Sequence, residues 1–233
     1  MGSGNAFSSG RYWSGFLLDR RILLDCPPQT LPHLFKLGVP TEAVELVLLS
    51  HAHSDHIGGV DLLLLDAIYR TAERRQRPLA IAGPPGIYDR LREVIGDSGR
   101  LPPRSDPRIA WFEVAGGATF EWAGATVECF EVDHDPDLTC LGFRVHLDGR
   151  VVGYTGDTRP CEAVRRLADG ADTLIVECGV GTYHFDWPDI EVLRGQLPQA
   201  TRLLVTHYPN PAPDPVRNLG GVTLAEDFAA YEV

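Results

Sequence analysis

Lysine is nearly absent from this chain. Lys36 is the single one among 21 basic residues, which face 32 acidic ones for a net charge of −11. So acidic a protein argues against sequence-independent binding of long nucleic acids, because neutralisation of phosphates by Lys and Arg supplies most of that affinity. A small-molecule substrate is expected, and no long structured RNA. Cysteine is sparse as well: Cys26, Cys129, Cys140, Cys161 and Cys178 are odd in number, scattered and without C-x-x-C spacing. That pattern speaks against a disulfide framework or a thiolate zinc knuckle and fits a reducing cytoplasm. No apolar run reaches the length of a membrane span, and Met1–Ala6 lacks the basic start and apolar stretch of a secretory signal. A cytoplasmic protein without membrane association is expected. No composition break divides the chain, so residues 1–233 read as one domain, and 44% hydrophobic with 23% charged content suits a sizeable core. A homodimer is compatible with this reading.

Against these absences stands one dense stretch, His51-Ala52-His53-Ser54-Asp55-His56-Ile57-Gly58-Gly59. It follows a β-branched apolar run (Val44 to Leu49) and precedes Val60 to Arg70, which holds helix formers without a breaker, so it is a loop between strand and buried helix. Three imidazoles and a carboxylate within six residues suit a borderline-soft cation such as Zn²⁺, which takes His nitrogen and Asp oxygen. His51 and His53 point the same way and grip one ion, while Asp55 and His56 turn to a second.

Further candidates lie at predicted strand ends. Ile22 to Leu24 delivers Asp25, which is either a turn or capping residue before Pro27-Pro28 or a carboxylate behind the metal loop. Ala125 to Val132 delivers His134, and Val151 to Tyr154 leads to Thr155-Gly156-Asp157-Thr158, where Asp157 either caps the helix Cys161 to Leu167 or turns into the site. Thr201 to Thr206 delivers His207. His184, beside aromatic residues and ahead of a helix, is either a surface residue or a contributor to the site. His33, on a short helix from Leu31 to Leu37, and His146 read as surface or packing residues. Gly220 to Val233 reads as a closing hairpin.

The H-x-H-x-D-H stretch, with Asp25, the Asp133-His134 segment followed by Gly142-Phe143-Arg144, Thr155-Gly156-Asp157-Thr158 and Leu203-Leu204-Val205-Thr206-His207, resembles the five motifs of the metallo-β-lactamase superfamily in order. The context of His134 resembles the ribonuclease Z-like branch, and so does the glycine-rich start Gly2 to Gly10. The resemblance implies an αββα four-layer sandwich with the site at one edge. It implies two zinc ions, with manganese or iron as alternatives, the first on His51, His53 and His134, the second on Asp55, His56 and His207, and Asp157 bridging. It also implies a hydrolase, with Asp55 orienting the attacking hydroxide. A phosphodiesterase acting on a small or nucleotide-like diester is expected, with a lactonase or other ester-cleaving hydrolase, or a non-catalytic metal-binding protein, as alternatives. Two departures stand out. Ser98 to Pro107 is too short to be the basic arm that clamps transfer RNA in that branch. Val176-Glu177-Cys178 replaces its H-E-A-T, so protonation of the leaving group falls to His184.

Overall fold

The computed structural model describes residues 1–96, 101–209 and 219–232. The chain opens on a hairpin of β1 (Phe16–Leu18) and β2 (Ile22–Leu24), turned through Asp19 and Arg20 at φ 44° and 56°. Positive φ at both turn residues matches the right-handed twist of the strands it joins. After α1 (Thr30–Lys36), β3 (Leu46–Leu48) pairs parallel with β2, and the chain continues through α2 (Ser54–Ile57) and α3 (Val60–Leu65). Next come β4 (Leu79–Gly83), α4 (Ile87–Ile95) and β5 (Ile109–Glu113), which complete a five-stranded sheet in the order β1-β2-β3-β4-β5.

The second sheet begins as an antiparallel meander of β6 (Thr119–Trp122), β7 (Ala125–Val132), β8 (Cys140–Leu147) and β9 (Arg150–Tyr154). It then turns parallel through α5 (Glu162–Ala168), β10 (Thr173–Glu177), α6 (Trp187–Gln196), β11 (Arg202–Thr206) and β12 (Val222–Leu224).

Side chains alternate across the strands, and β2, β3, β4 and β10 are buried along their whole length with apolar residues on both faces, as strands covered on two sides require. Leu24, Leu48 and Ala82 meet Val127, Phe143, Tyr154 and Ile175 between the sheets. Their neighbours Leu23, Val47 and Ile81 pack against Leu34, Leu63 and Leu91 of α1, α3 and α4. On the other side Leu174, Val176, Leu203 and Val205 pack against Val164, Leu167, Ile190 and Leu193 of α5 and α6. The layers are therefore helix, sheet, sheet, helix, the expected αββα sandwich.

Two expectations change. The helix from Val60 gives way at Asp66–Arg70 to a π turn in which Thr71 N–H reaches the Asp66 carbonyl. The buried Asp66 carboxylate takes hydrogen bonds from Thr41, Thr71 and Arg70, which holds the widened turn in place. The closing hairpin does not form either: β12 adds parallel to β11, and Asp227 in the tail accepts hydrogen bonds from the Ser3 and Tyr12 backbones, leaving no second strand among the described residues after Leu224. Val233 and part of the 98–107 connection lie outside the described residues. No helix among the described residues is long and apolar enough to cross a membrane.

Candidate metal centre

The candidate residues sit in the loops that leave the C-terminal ends of β2, β3, β7, β9, β10 and β11. Parallel register does part of the work, since Glu177 pairs with Thr206 and so Glu177 and His207 emerge side by side. Two site residues hold left-handed backbone, Asp25 at φ 60° and His207 at φ 55°, the kind of strain that a surrounding structure must over-determine. Gly156, at φ 59°, lies so close to Ser50 that a Cβ there would meet the Ser50 Cβ at 2.6 Å. Only glycine lets the Asp157 loop close on the metal loop.

One group converges on His53 Nδ1, with His51 Nε2 at 2.9 Å and His134 Nε2 at 3.3 Å. Each of these rings has an acceptor for its other nitrogen. His134 Nδ1–H donates to the Tyr183 carbonyl at 3.0 Å, and His53 Nε2–H to Asp135 Oδ2 at 3.2 Å. Ser50 Oγ–H donates to Asp25 Oδ2 at 2.9 Å, so it accepts from His51 Nδ1–H at 2.9 Å. The three converging nitrogens therefore present lone pairs to one another. Burial, then the neighbouring His56, holds the His51 imidazole well below its usual range, and burial also lowers that of His134.

The second group is Asp55, His56 and His207 around Asp157. Asp157 Oδ2 lies 3.4 Å from His56 Nε2 and 3.3 Å from His207 Nε2, and Asp55 Oδ2 lies 3.6 Å from both nitrogens. His56 Nδ1–H donates to the fully buried Asp25, which also accepts from Ser50 N–H at 2.7 Å and Tyr154 O–H at 2.5 Å. Burial alone would raise the Asp157 carboxyl, yet His207 and His56 hold it well below the usual carboxylate range. Asp55 is likewise lowered against its burial by His207 and His56. In His56 burial opposes the charge, but Asp157 and Asp25 raise the imidazole well above its ordinary value.

Ionised carboxylates thus surround nitrogens that lack partners: His56 Nε2 and both nitrogens of His207 are buried without a hydrogen bond. Buried polar atoms are ordinarily satisfied, so Nε2 of His56 and Nε2 of His207, both facing Asp157, mark where a cation would be held. Donor groups within 4.8 Å of one another include His51, His53 and His134, Asp55, His56 and His207, and Asp157 with His51 and His56. Nitrogen and carboxylate donors of this kind fit divalent metal of zinc's borderline softness.

The structure brings together all of His51, His53, Asp55, His56, His134, Asp157, His184 and His207. His184 Nδ1 pairs with buried Glu177 at 2.8 Å, and a His184 nitrogen lies within 4.8 Å of donor atoms of His134 and Asp157. Asp25 stands behind the metal loop and is no mere turn residue. His33 is buried against the Tyr12 and Phe228 rings, and His146 pairs with Glu128 away from the site. Sequence reading missed Ser50, Asp135, Tyr154 and the role of Glu177. Adjacency to His51 and His134 flags the first two, whereas nothing local marks Tyr154.

Comparison with known proteins agrees with this geometry. The family model of the β-lactamase superfamily domain matches residues 20–208. A ribonuclease Z of Mycobacterium bovis is 32% identical over 163 residues, covering 66% of this chain and 58% of that protein, so the chain spans less than two thirds of the curated relative's length. A diphosphatase from the PhnP family has the same fold at TM-score 0.79 and 18% identity, covering 97% of this chain and 93% of that one. Human tRNase Z, short form, does so at TM-score 0.71 and 22% identity, covering 98% and 95%. The expectation of a small-molecule substrate without long structured RNA is overturned here, because relatives from Mycobacterium bovis and Mycobacterium marinum at 32% and 30% identity are named ribonuclease Z. The physical error is one of scale. A net charge of −11 is a sum over the whole surface, whereas a centre that grips one phosphate through cations needs few basic side chains. With its family model, its fold and its motif residues in agreement, the chain belongs to the metallo-β-lactamase superfamily, in the ribonuclease Z-like branch.

Proposed function

We propose that this chain is a dinuclear, metal-dependent phosphodiesterase whose scissile bond lies in RNA. The observation that carries the reading is Asp157, whose carboxylate stands between two sets of ligand-type nitrogens. Two zinc ions held by His51, His53, His134, Asp157, Asp55, His56 and His207 would, when bound, supply hydroxide at neutral pH and offset the charge of the phosphate under attack. The side chains do the rest. Asp55, partly open to solvent, orients the attacking oxygen. His184 donates to the Glu177 carboxylate through Nδ1, which turns its other nitrogen to the leaving oxygen as a proton donor. Glu177 is held as an acceptor by Thr158 N–H at 2.9 Å and Gly179 N–H at 2.5 Å, and so fixes the orientation of the ring.

The names of the ribonuclease Z relatives support RNA as the substrate class. The test is turnover by zinc-loaded protein of a 3′-extended precursor transfer RNA and of bis-p-nitrophenyl phosphate, beside an aryl ester and a lactone. Cleavage of both phosphodiesters is expected. Turnover of the ester or lactone alone would refute the reading.

A further inference from the structure

Gly179 follows β10 by two residues, and its φ lies outside the left-handed region that Gly156 and Gly181 occupy at 59° and 108°. Its backbone therefore suits any residue, and conformational freedom is not what calls for glycine here. Space is. A Cβ on Gly179 would meet His184 Nδ1 at 2.5 Å, Cγ at 2.6 Å and Cβ at 3.0 Å. The imidazole thus lies against the start of its own loop, and the room left by one missing side chain lets Nδ1 stand 2.8 Å from Glu177 Oε1. Gly179 also holds the carboxylate of that pair, since its N–H donates to Glu177 Oε2 at 2.5 Å.

A side chain at this position is not relieved by a small shift of its neighbours. The contacts run from the root of the imidazole to Nδ1, so turning the ring about its outer bond leaves the crowding at Cγ and Cβ. The backbone of His184 is pinned from both sides. Before it, the Tyr183 carbonyl accepts from His134 Nδ1–H at 3.0 Å, and the Arg159 guanidinium lies 5.4 Å over the Tyr183 ring. After it, Phe185 is buried and Asp186 caps α6 in a reciprocal box with Asp189. With the backbone fixed, the ring itself must leave, and with it the hydrogen bond to Glu177.

We infer that Gly179 is a positioning residue for the proton donor, seating His184 against Glu177 by having no side chain. Alanine keeps the N–H and fits the backbone, so Gly179→Ala removes the room alone. The inference rests on the phosphodiesterase reading for the proton that His184 delivers.

Its test is a double-mutant cycle of zinc-loaded wild type, Gly179→Ala, His184→Ala and the double variant. On a 3′-extended precursor transfer RNA, relative to bis-p-nitrophenyl phosphate, Gly179→Ala is expected to lose about 10²-fold or more in kcat, as loss of a general acid does. Added to His184→Ala, it should cost nothing further. In denaturant, Gly179→Ala should lower the unfolding midpoint of wild type but not that of His184→Ala, where the ring is gone and alanine suits the backbone. Equal shifts in the two backgrounds, no shift in either, or failure to fold in both would overturn the role. A wild type that leaves bis-p-nitrophenyl phosphate intact would instead sink the phosphodiesterase reading, while the unfolding midpoints still decide whether Gly179 makes room for His184.

Discussion

Glu177 Oε1 lies 2.8 Å from His184 Nδ1, and this pair sits where the H-E-A-T histidine of ribonuclease Z is replaced by Val176. Val176 points into the layer of α5 and α6 and carries no chemistry. The glutamate beside it faces the site and holds an imidazole borrowed from a loop seven residues on.

General acid catalysis contributes ~10²–10⁴-fold, and the gain depends on how badly the leaving group needs the proton. We predict that His184→Ala keeps its metal and loses roughly that factor on RNA, whose leaving oxygen is a poor one, while p-nitrophenolate esters are nearly unaffected. Glu177→Gln should follow the same split, more weakly. Parallel kcat measurements on the two substrate types decide the matter: equal losses would make the pair a binding or structural device.

How much of this was legible depends on where the ligands lie along the chain. His51, His53, Asp55 and His56 fall within six residues, so their common purpose shows without any fold. His134, Asp157 and His207 were readable because each ends an apolar run, and a strand end is where a side chain enters an edge site. The supports were not readable in the same way. Tyr154 reaches Asp25 only because the two sheets pack face to face, and His134 is fixed by a carbonyl at Tyr183 that any residue would supply. The π turn at Asp66 and the parallel β12 likewise depend on distant partners, Thr41 in one case and β11 in the other. Composition misled on substrate, because charge summed over a surface says little about one pocket.

Asp25 is predicted to govern metal affinity without touching metal. It holds His56 directly and His51 through Ser50, and loss of such a partner ordinarily costs about 10–100-fold in metal affinity. Asp25→Asn should therefore weaken zinc binding by about that factor in competition with a chelator, with circular dichroism unchanged at saturating zinc. Unaltered affinity would reduce Asp25 to a residue of the turn before Pro27.

Stability at low pH should report on Glu128, far from the centre. Its carboxylate is held at about 2, against 4.5 ordinarily, chiefly by the Arg144 guanidinium at 2.7 and 2.9 Å, with His146 adding a hydrogen bond at 2.6 Å. The folded value lies below the unfolded one, so the contribution is present in full above pH 4.5 and fades as pH falls towards about 2. Solvent screening of this half-buried pair limits it to on the order of 1 kcal/mol. Denaturant titrations of wild type and Glu128→Gln should differ by that amount at pH 7 and converge as pH falls towards about 2. A gap of constant size across this range would show that the pair acts by packing alone.

Metal stoichiometry follows from the way the ligands are divided. His53 belongs with His51 and His134, and His207 with Asp55 and His56, whereas Asp157 lies against both His56 and His207 and within reach of His51 and His134. Seven ligand-type side chains shared in this manner would hold two ions with positions left over for water and substrate. Elemental analysis is therefore expected to find about two zinc equivalents in the wild type and about one in His53→Ala or His207→Ala, since each of these removes a donor from one position only. Asp157→Ala should fall below one, because the loss of the shared carboxylate removes a donor from both positions and leaves the charge of two cations without the anion between them. A wild-type protein that retains a single ion after loading with excess zinc, or an Asp157→Ala variant that retains both, would contradict the division of ligands.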